Sequence, residues 1–215
     1  MITIMAKGAE ANLYTADFSD IFFPCADFGE VVVKERIPKG YRIQELDLQL
    51  RRQRTVAEAR IIHDARRSGS NVPAILGVWP ESCVILMEKI NGVLLRDHLN
   101  SEAPGRVGAC RLAGRQLAVL HDSGIVHGDP TTSNMILRGD ELYLVDFGLA
   151  EYSDHVEKRA VDLHLLKTTM KSTHFHEFDR FYRAAVEGYR VELPHAEEVL
   201  ERCRSIEKRG RYVER

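Results

Sequence analysis

The chain has 215 residues, of which 44% are hydrophobic and 29% charged, and its formal net charge is −2. This composition is typical of a soluble globular protein. No apolar run approaches the roughly 18 residues that a membrane-spanning helix needs, and the N-terminus lacks the basic start and longer apolar core of a signal peptide. The four cysteines are far apart and form no CxxC pair. They favour a reduced, cytoplasmic protein over a disulfide framework.

The first third of the chain predicts short strands and then one long helix. The helix is predicted over residues 44–68 with Gly69 as its C-cap, because Leu50, Ala57 and Ile61 recur with helical spacing. Short apolar segments separated by Gly, Ser, Pro or Asp are predicted to be strands at residues 2–6, 12–17, 21–23 and 31–34.

The rest of the chain reads as one strand, a connector and mostly helices. The strand is predicted over residues 83–87, and helices are predicted over 106–122, 157–171, 175–190 and 195–208. A strand-rich first part and a helix-rich remainder predict an α+β fold of two lobes joined at the connector. The predicted divisions are an N-terminal lobe at 1–87, a hinge at 88–92, a C-terminal lobe at 93–203 and a basic tail at 204–215.

The most informative segment is residues 127–148, HGDPTTSNMILRGDELYLVDFG. Two short apolar runs flank the turn signal Gly139-Asp140, which predicts a β-hairpin. The hairpin places Asn134 and Asp146 at its two ends, on the same side. The segment therefore brings two metal-binding residue types together.

This arrangement resembles the one that protein-kinase-like enzymes use for phosphoryl transfer, so the α+β, two-lobed fold is predicted to be protein-kinase-like, with a small β-rich N-terminal lobe and a minimal helical C-terminal lobe. Asp129 is predicted to orient a hydroxyl or water and to accept its proton late in the reaction. Asn134 and Asp146 supply oxygen ligands of the kind that Mg²⁺ prefers, and they would hold the metal against the phosphates of ATP. Asp-Pro or Asp-Phe-Gly alone would be an ordinary turn fragment, but here they occur together around one hairpin.

Lys34 lies in the apolar strand segment VVVKE and is predicted to neutralise the α- and β-phosphates of ATP. Its predicted partner is Glu58 in TVAEAR. An alternative is that Thr55 and Glu58 form a capping box at a helix start. We favour the ion pair, because three arginines just upstream of Thr55 indicate that the helix has already begun.

Two further segments are predicted to contact ATP mainly through the main chain. The segment KGAEANLY takes the place of a glycine-rich phosphate loop, although it keeps one glycine of the usual three, and a simple strand-Gly-strand turn is the alternative. The loop residues are Gly8, Ala9, Glu10 and Ala11. The adenine-binding connector residues are Met87, Glu88 and Ile90, with Met87 at the back wall.

Two stretches are basic and would attract an anionic partner such as nucleic acid. Residues 34–67 have ten Lys/Arg against five Asp/Glu, and residues 201–215 have six against three. A solvated helix face and a frayed tail are the alternative explanation. His174 and His176 form a His-x-His pair, but no third metal ligand is evident, so a surface helix is favoured there.

With these residues in place, the chain resembles the PRPK-like, RIO-related kinase subunits of the KEOPS complex. The resemblance spans nearly the whole chain. The segment after Lys34 is more distinctive than the kinase motifs themselves. The resemblance rests on KERIPKGYR (34–42), LDLQLRRQRTVAEAR (46–60), HGDPTTSN (127–134), DFGLA (146–150), AVDLHLL (160–166) and KRGR (208–211).

The resemblance implies binding of ATP and Mg²⁺, serine/threonine autophosphorylation, and an ATPase role in forming threonylcarbamoyl-adenosine next to the anticodon of tRNA. It implies as partners the threonylcarbamoyl transferase subunit and other KEOPS subunits. It also suggests a tRNA contact by Lys208, Arg209 and Arg211, although Tyr212 follows where relatives continue with basic residues. Standalone members of this length are typical of archaea.

Two departures from conventional kinases bear on the phosphate acceptor. Gly128 replaces the Arg of the His-Arg-Asp motif, so activation by a phosphate on the activation loop is not expected. Only fifteen residues separate Asp146 from Asp162, without an Ala-Pro-Glu segment, so the peptide platform is predicted to be absent. Water, a small molecule or an intramolecular hydroxyl is then favoured as acceptor.

Two alternative functions stay open from the sequence. A small-molecule phosphotransferase of the aminoglycoside or choline kinase type shares the HGD-x4-N pattern, although the C-terminal part looks short for a substrate pocket. A non-catalytic scaffold that binds nucleotide and a partner is the other alternative. The complete set of Lys34, Glu58, Asp129, Asn134 and Asp146 argues against the scaffold.

Overall fold

The computed structural model describes residues 3–8, 10–21 and 29–213. The chain forms two compact units. The first comprises Met1–Asp64 and Pro73–Ile90, and the second comprises Ala65–Val72 and Asn91–Arg215. The change of unit after Ile90 falls inside the predicted connector.

The first unit is an antiparallel sheet with a long helix packed on one face. The strands are ordered β1-β2-β3-β5-β4. Val31 and Val33 pack on one face of the sheet, while Val32 packs on the other beside Ala59 of the helix. This alternation places Lys34 on the helix-covered face. The elements are β1 (Thr3–Lys7), β2 (Ala11–Asp17), α1 (Phe18–Ile21), β3 (Glu30–Arg36), α2 (Gln44–Arg67), β4 (Ile75–Trp79) and β5 (Val84–Glu88).

One prediction in this unit is corrected, and one strand was missed. Ile21 ends the short helix α1 and is not in a strand, and the rest of the predicted strand at 21–23 lies outside the described residues. Strand β4 was not predicted, because Gly77 interrupts its apolar pattern. A Cβ at Gly77 would lie 2.5 Å from the Trp79 ring, and the register of β4 shifts between Ile75 and Gly77. The glycine therefore marks a bulge that makes room for the ring.

The second unit is mainly helical, and its helices pack in pairs. Helix α4 packs against α6, and α5 packs against α7. Two small sheets accompany them, of order β10-β7 and β6-β8-β9. The elements are β6 (Val93–Leu94), α3 (Leu95–Leu99), α4 (Arg106–Asp122), β7 (Ile125–Val126), a 3₁₀ turn (Thr132–Asn134), β8 (Met135–Arg138), β9 (Glu141–Leu144), β10 (Glu151–Tyr152), α5 (Val156–Thr173), α6 (Phe178–Glu192) and α7 (Ala196–Val213).

The predicted hairpin is present in this unit. Strands β8 and β9 pair from Met135–Leu144 to Arg138–Glu141, with Gly139 and Asp140 in the turn. The predicted basic tail at 204–215 does not begin as a separate segment at residue 204, because α7 continues through Val213. Among the helices of the described residues, none is long and apolar enough to cross a membrane.

Candidate functional site

Lys34 and Glu58 form a buried ion pair in the first unit. The Lys34 Nζ atom lies 2.6 Å from Glu58 Oε1, and the Arg36 guanidinium lies 2.6 Å from Glu58 Oε2. Lys34 and Arg36 are two residues apart on β3, so both side chains leave the same face of the sheet. Glu58 therefore holds two cations at once, and Arg36 was not predicted to take part.

The capping-box alternative for Glu58 does not hold in this structure. Helix α2 begins at Gln44, so Thr55 lies in its interior. The Thr55 hydroxyl donates to the Arg51 carbonyl, 2.8 Å away, one turn earlier in the helix. Glu58 therefore does not cap the helix, and its side chain instead contacts Lys34 and Arg36 of the sheet.

The predicted phosphate loop connects β1 and β2 in the same unit. The Gly8 N–H donates to the Ala11 carbonyl (2.9 Å), which closes the turn. Glu10 pairs with Arg54, and the Arg36 guanidinium lies 3.7 Å from its carboxylate. Burial raises the pKa of Glu10, but the Arg54 hydrogen bond and nearby cations outweigh it. The net effect is a lowered pKa. Ala9 lies outside the described residues, and phosphate binding by this loop stays a prediction.

The predicted adenine-binding residues lie at the end of β5 and just after it. Met87 and Ile90 are buried, and Met87 is paired with Val32 of β3. The Glu88 N–H donates to the Ala74 carbonyl (2.9 Å), and the Ala74 N–H donates to the Glu88 carboxylate (3.1 Å). The N–H and carboxylate of Glu88 are thus already engaged within the sheet. Adenine recognition at this position stays a prediction. It would have to use groups other than the Glu88 N–H and carboxylate.

Asp129 and Asn134 contact each other directly in the second unit. The Asn134 Nδ2 group donates to the Asp129 carbonyl and to Asp129 Oδ2, both at 2.9 Å. The Thr131 N–H also donates to the Asp129 carbonyl, at 2.8 Å. Because the amide nitrogen of Asn134 is engaged by Asp129, its oxygen is the atom left to act as a ligand.

Asp146 follows the hairpin and is an exposed residue. Its backbone is left-handed, with φ of 62°, and its Oδ1 is 3.4 Å from the Gly148 N–H. The Val145 N–H donates to the Asn134 carbonyl (3.0 Å), which joins this segment to residues 127–134, here called the catalytic loop. An amide oxygen and a carboxylate are the hard oxygen donors that suit Mg²⁺. The residues therefore fit the predicted metal, although their role as ligands stays a prediction.

A buried aspartate on α5 holds the start of the catalytic loop. Asp162 accepts the backbone N–H of His127 (2.7 Å) and of Gly128 (2.9 Å). Gly128 has φ of +82°, and a Cβ there would lie 2.3 Å from the Leu149 carbonyl oxygen. Gly128 therefore stands where a side chain would not fit. This function of Asp162 was missed, and the signal was an acidic residue inside the apolar run AVDLHLL.

Two buried side chains support Asp162. His121 Nε2 lies 3.1 Å from Asp162 Oδ2, and His121 Nδ1 lies 2.7 Å from the Tyr189 hydroxyl. Burial lowers the pKa of His121, against the opposing effect of the Asp162 carboxylate. The Asp162 carboxylate thus has three donor contacts, two from the loop and one from α4.

His127 joins the catalytic loop to the Asp-Phe-Gly segment. Its Nδ1 accepts the Asp129 N–H (3.3 Å), so its Nε2–H is the group that donates to the Val145 carbonyl (3.2 Å). Its ring also packs on Phe147, with 4.8 Å between ring centroids. Burial lowers the pKa of His127, which favours this neutral form.

The residues predicted to contact tRNA lie on α7, and their role stays a prediction. Lys208 and Arg209 are exposed on α7, and Arg209 lies 3.9 Å from Glu157; the Arg211 side chain lies outside the described residues. The predicted surface helix over the His-x-His pair is wrong. Both histidines lie between α5 and α6, where His174 is buried and His176 is exposed.

One cluster of potential metal ligands occurs elsewhere in the described part of the second unit. The ligand atoms of His164, Cys203 and Glu207 lie within 4.8 Å of one another. The Lys167 ammonium lies 2.7 and 2.8 Å from the two Glu207 oxygens. A cation therefore already neutralises this carboxylate, and we assign no metal to the cluster.

Sequence comparisons give close relatives for this chain. The RIO domain family matches residues 28–180. The chain is 47% identical to the KEOPS complex subunit Bud32 of Pyrococcus abyssi, over 99% of this chain and 97% of that protein. It is 46% identical to a probable serine/threonine-protein kinase BUD32 homolog of Archaeoglobus fulgidus, over 86% and 90% of the two chains. It is 39% identical to a probable bifunctional tRNA threonylcarbamoyladenosine biosynthesis protein of Methanothermobacter thermautotrophicus, over 98% of this chain and 37% of that protein.

Solved structures share the fold at low sequence identity. The Rio2 kinase-ADP/Mg²⁺-phosphoaspartate complex from Chaetomium thermophilum has a TM-score of 0.65 at 15% identity, covering 97% of this chain and 70% of that chain. The amicoumacin kinase hAmiN in complex with AMP-PNP, Ca²⁺ and Ami has a TM-score of 0.64 at 14% identity, covering 89% and 72%. These likenesses confirm the predicted α+β, kinase-like fold.

Proposed function

Because the chain belongs to the RIO-domain family, in the group of the KEOPS subunit Bud32, we propose that it is an ATP-dependent phosphotransferase and ATPase of a KEOPS complex. In that complex it supports threonylcarbamoyl-adenosine formation next to the anticodon of tRNA. The observation that carries the proposal is the contact of Asn134 with Asp129 at 2.9 Å, which leaves the Asn134 oxygen for a metal. The same contact holds the Asp129 carboxylate in place for the reaction.

Each residue of the site then has a defined role. Asp129 orients a water or hydroxyl and accepts its proton. Asn134 and Asp146 hold Mg²⁺, which when bound neutralises charge on the phosphate oxygens. Lys34 binds the phosphates and Glu58 keeps its ammonium in place. The phosphate loop (Gly8, Ala9, Glu10, Ala11) and the connector (Met87, Glu88, Ile90) are the further residues that we propose to contact ATP.

Water or an internal hydroxyl is the acceptor that the sequence favours. Gly128 leaves no arginine for an activation-loop phosphate, and the segment from Asp146 to Asp162 is short for a peptide platform. ATP hydrolysis and serine/threonine autophosphorylation follow from the same Asp129 chemistry. The partners that we propose are the threonylcarbamoyl transferase subunit, other KEOPS subunits and tRNA, in the cytoplasm. We assign the tRNA contact to Lys208, Arg209 and Arg211.

The small-molecule phosphotransferase alternative has weaker support. The amicoumacin kinase is 14% identical to the chain, so its likeness extends to the fold alone. Relatives along nearly the full chain at 46–47% identity bear Bud32 names. A screen of amino-alcohol and sugar acceptors for phosphate uptake separates the two functions, and transfer to such an acceptor at rates above ATP hydrolysis would favour the alternative.

Substitutions at the two aspartates test the catalytic assignment. Asp129→Ala removes the group that orients the acceptor, and Asp146→Ala removes the charged metal ligand, so each is expected to lower the ATPase rate by about 100-fold or more. The rate is measured by phosphate release, with circular dichroism to verify folding. Asp140→Ala is the matched control, since Asp140 lies exposed in the turn of the same hairpin. Wild-type rates in both test variants would contradict the assignment.

The role in a complex is tested by omission. The purified chain is mixed with the transferase subunit and tRNA, and ATP hydrolysis is measured with each component left out. Stimulation that requires both components is expected. Hydrolysis that is independent of both would instead indicate a freestanding kinase.

A further inference from the structure

Helix α5 contacts the catalytic loop at two separate places. Asp162, in the first half of α5, accepts the backbone N–H groups of His127 and Gly128. His174 directly follows the helix, and its N–H donates to the Met170 carbonyl (2.8 Å), which fixes it to the last turn. Twelve residues of helix span roughly 18 Å. The second contact therefore holds a different part of the loop from the first.

His174 uses both of its ring nitrogens in this contact. Its Nε2 lies 3.1 Å from the Thr132 hydroxyl, and its Nδ1 lies 2.8 Å from Asn100 Oδ1. Since an amide oxygen only accepts, Nδ1 carries the hydrogen and Nε2 accepts the hydrogen of the Thr132 hydroxyl. The side chain is 5% exposed, and the Phe181 ring meets it edge-on at 6.2 Å. Burial, with a smaller effect of Arg96, lowers the pKa of His174 and favours this neutral form.

Thr132 connects His174 to the metal-binding residue. It is 2% exposed and begins the 3₁₀ turn that ends at Asn134. The Asn134 N–H donates to the Thr131 carbonyl at 3.0 Å, so the turn is short and internally bonded. A shift of Thr132 therefore moves Asn134 and changes the direction of its oxygen.

We propose that His174 is a positioning residue for the metal site, and that it acts through Thr132 on the orientation of Asn134. The inference rests on the proposed function, because it assumes that Asn134 binds the metal of a nucleotide complex. Residues that orient a metal ligand typically change metal affinity by about 10- to 100-fold when they are replaced. His174 acts through one further residue, so we expect about tenfold.

Manganese binding tests this without the reaction. The full chain is titrated with Mn²⁺ in the presence of a non-hydrolysable ATP analogue, and free Mn²⁺ is measured by electron paramagnetic resonance. His174→Ala and Thr132→Val are each expected to raise the Kd for Mn²⁺ about tenfold. The double variant is expected to have the same Kd for Mn²⁺ as the single variant that binds more weakly, because both substitutions remove the same link. Thr132→Ser keeps the hydroxyl and is expected to bind like the wild type.

The controls separate the possible failures. His176→Ala replaces an exposed histidine two residues away and is expected to leave the Kd unchanged. If His174→Ala does not fold, the comparison of Thr132→Val with Thr132→Ser decides the question. Wild-type affinity in Thr132→Val, or equal weakening in Thr132→Val and Thr132→Ser, would overturn the inference. Absence of Mn²⁺–nucleotide binding in the wild type would instead overturn the proposed function.

Discussion

At the scale of single residues, Glu58 is the centre of a buried charge network. Lys34 is 7% exposed and Arg36 is 4% exposed, and both lie 2.6 Å from the one carboxylate. Removing one partner of a buried ion pair is costly, because it leaves an uncompensated charge in a low-dielectric environment. The two possible deletions are unequal here. Loss of Lys34 leaves Glu58 paired with Arg36, whereas loss of Glu58 removes the one carboxylate that both cations share.

Glu58→Gln is therefore expected to lower the free energy of unfolding by about 3 kcal/mol, and Lys34→Met by about 1 kcal/mol or less. Both are expected to reduce ATPase activity strongly. Trp79 is the single tryptophan and lies in the first unit, so urea unfolding followed by its fluorescence measures the difference. Equal destabilisation by the two variants would show that Arg36 does not stabilise Glu58.

At the scale of elements, helices α4 and α6 approach each other at two glycines. A Cβ on Gly114 would lie 1.8 Å from the Ala185 carbonyl oxygen, and a Cβ on Gly188 would lie 2.0 Å from the Arg111 carbonyl oxygen. Both contacts are with backbone, which cannot rotate away as a side chain can. Helix α4 also supports Asp162 through His121, so the spacing of this pair affects the catalytic loop.

Gly114→Ala is expected to destabilise the protein by about 2 kcal/mol or more, because the added methyl group forces the helices apart. Alanine favours the helix over glycine by about 1 kcal/mol. Without the close approach of the two helices, Gly114→Ala would therefore raise the stability. Gly108→Ala in the same helix is the matched control, since its Cβ would meet nothing within 4 Å. That variant is expected to gain stability. Urea unfolding followed by far-ultraviolet circular dichroism distinguishes them, and stabilisation by both would refute the close approach.

How well the elements could be predicted depended on their length. The helix over residues 106–122 was predicted at its observed bounds, because its apolar pattern spans several turns. Strands β6, β7 and β10 were not predicted, since each has only two residues and forms only where a partner strand lies alongside. The extension of α7 beyond 208 was missed because its last turns are charged and have no apolar stripe.

At the scale of the whole molecule, three buried histidines make stability depend on pH. Burial lowers the pKa of His121, His127 and His174 below the value of 6.5 expected for the unfolded chain. The unfolded state then binds more protons below pH 6.5, so stability is full above this pH and is lost as the pH falls through the lower folded values. All three histidines belong to the second unit.

Lowering the pH from 7.5 to 5.5 is therefore expected to reduce the free energy of unfolding by up to about 4 kcal/mol, since each of the three neutral histidines contributes up to about 1.4 kcal/mol per pH unit below 6.5. Urea unfolding at both pH values, followed by circular dichroism, measures the change. His176→Ala is expected to retain the same pH dependence, because His176 is exposed. An unchanged or higher stability at pH 5.5 would contradict the burial of these rings in neutral form.

The sequence by itself determined the fold class, the family and the residues of the predicted catalytic segment. Asp129, Asn134 and Asp146 lie within eighteen residues around one hairpin, so their spacing was readable from local pattern alone. Lys34 was predicted for a related reason, because it is a cation in an otherwise apolar strand.

Only the tertiary structure decided how these residues are held. In the folded chain Glu58 forms the ion pair and not the capping box, and Arg36 joins that pair. Asp162 and His174 contact the catalytic loop from 34 to 42 residues away in the sequence. Such contacts leave no periodic signal, because each is a pair of side chains that meet only after helices and strands have packed. Their positions follow from burial and hydrogen-bond satisfaction in the folded chain, which no local stretch of sequence specifies.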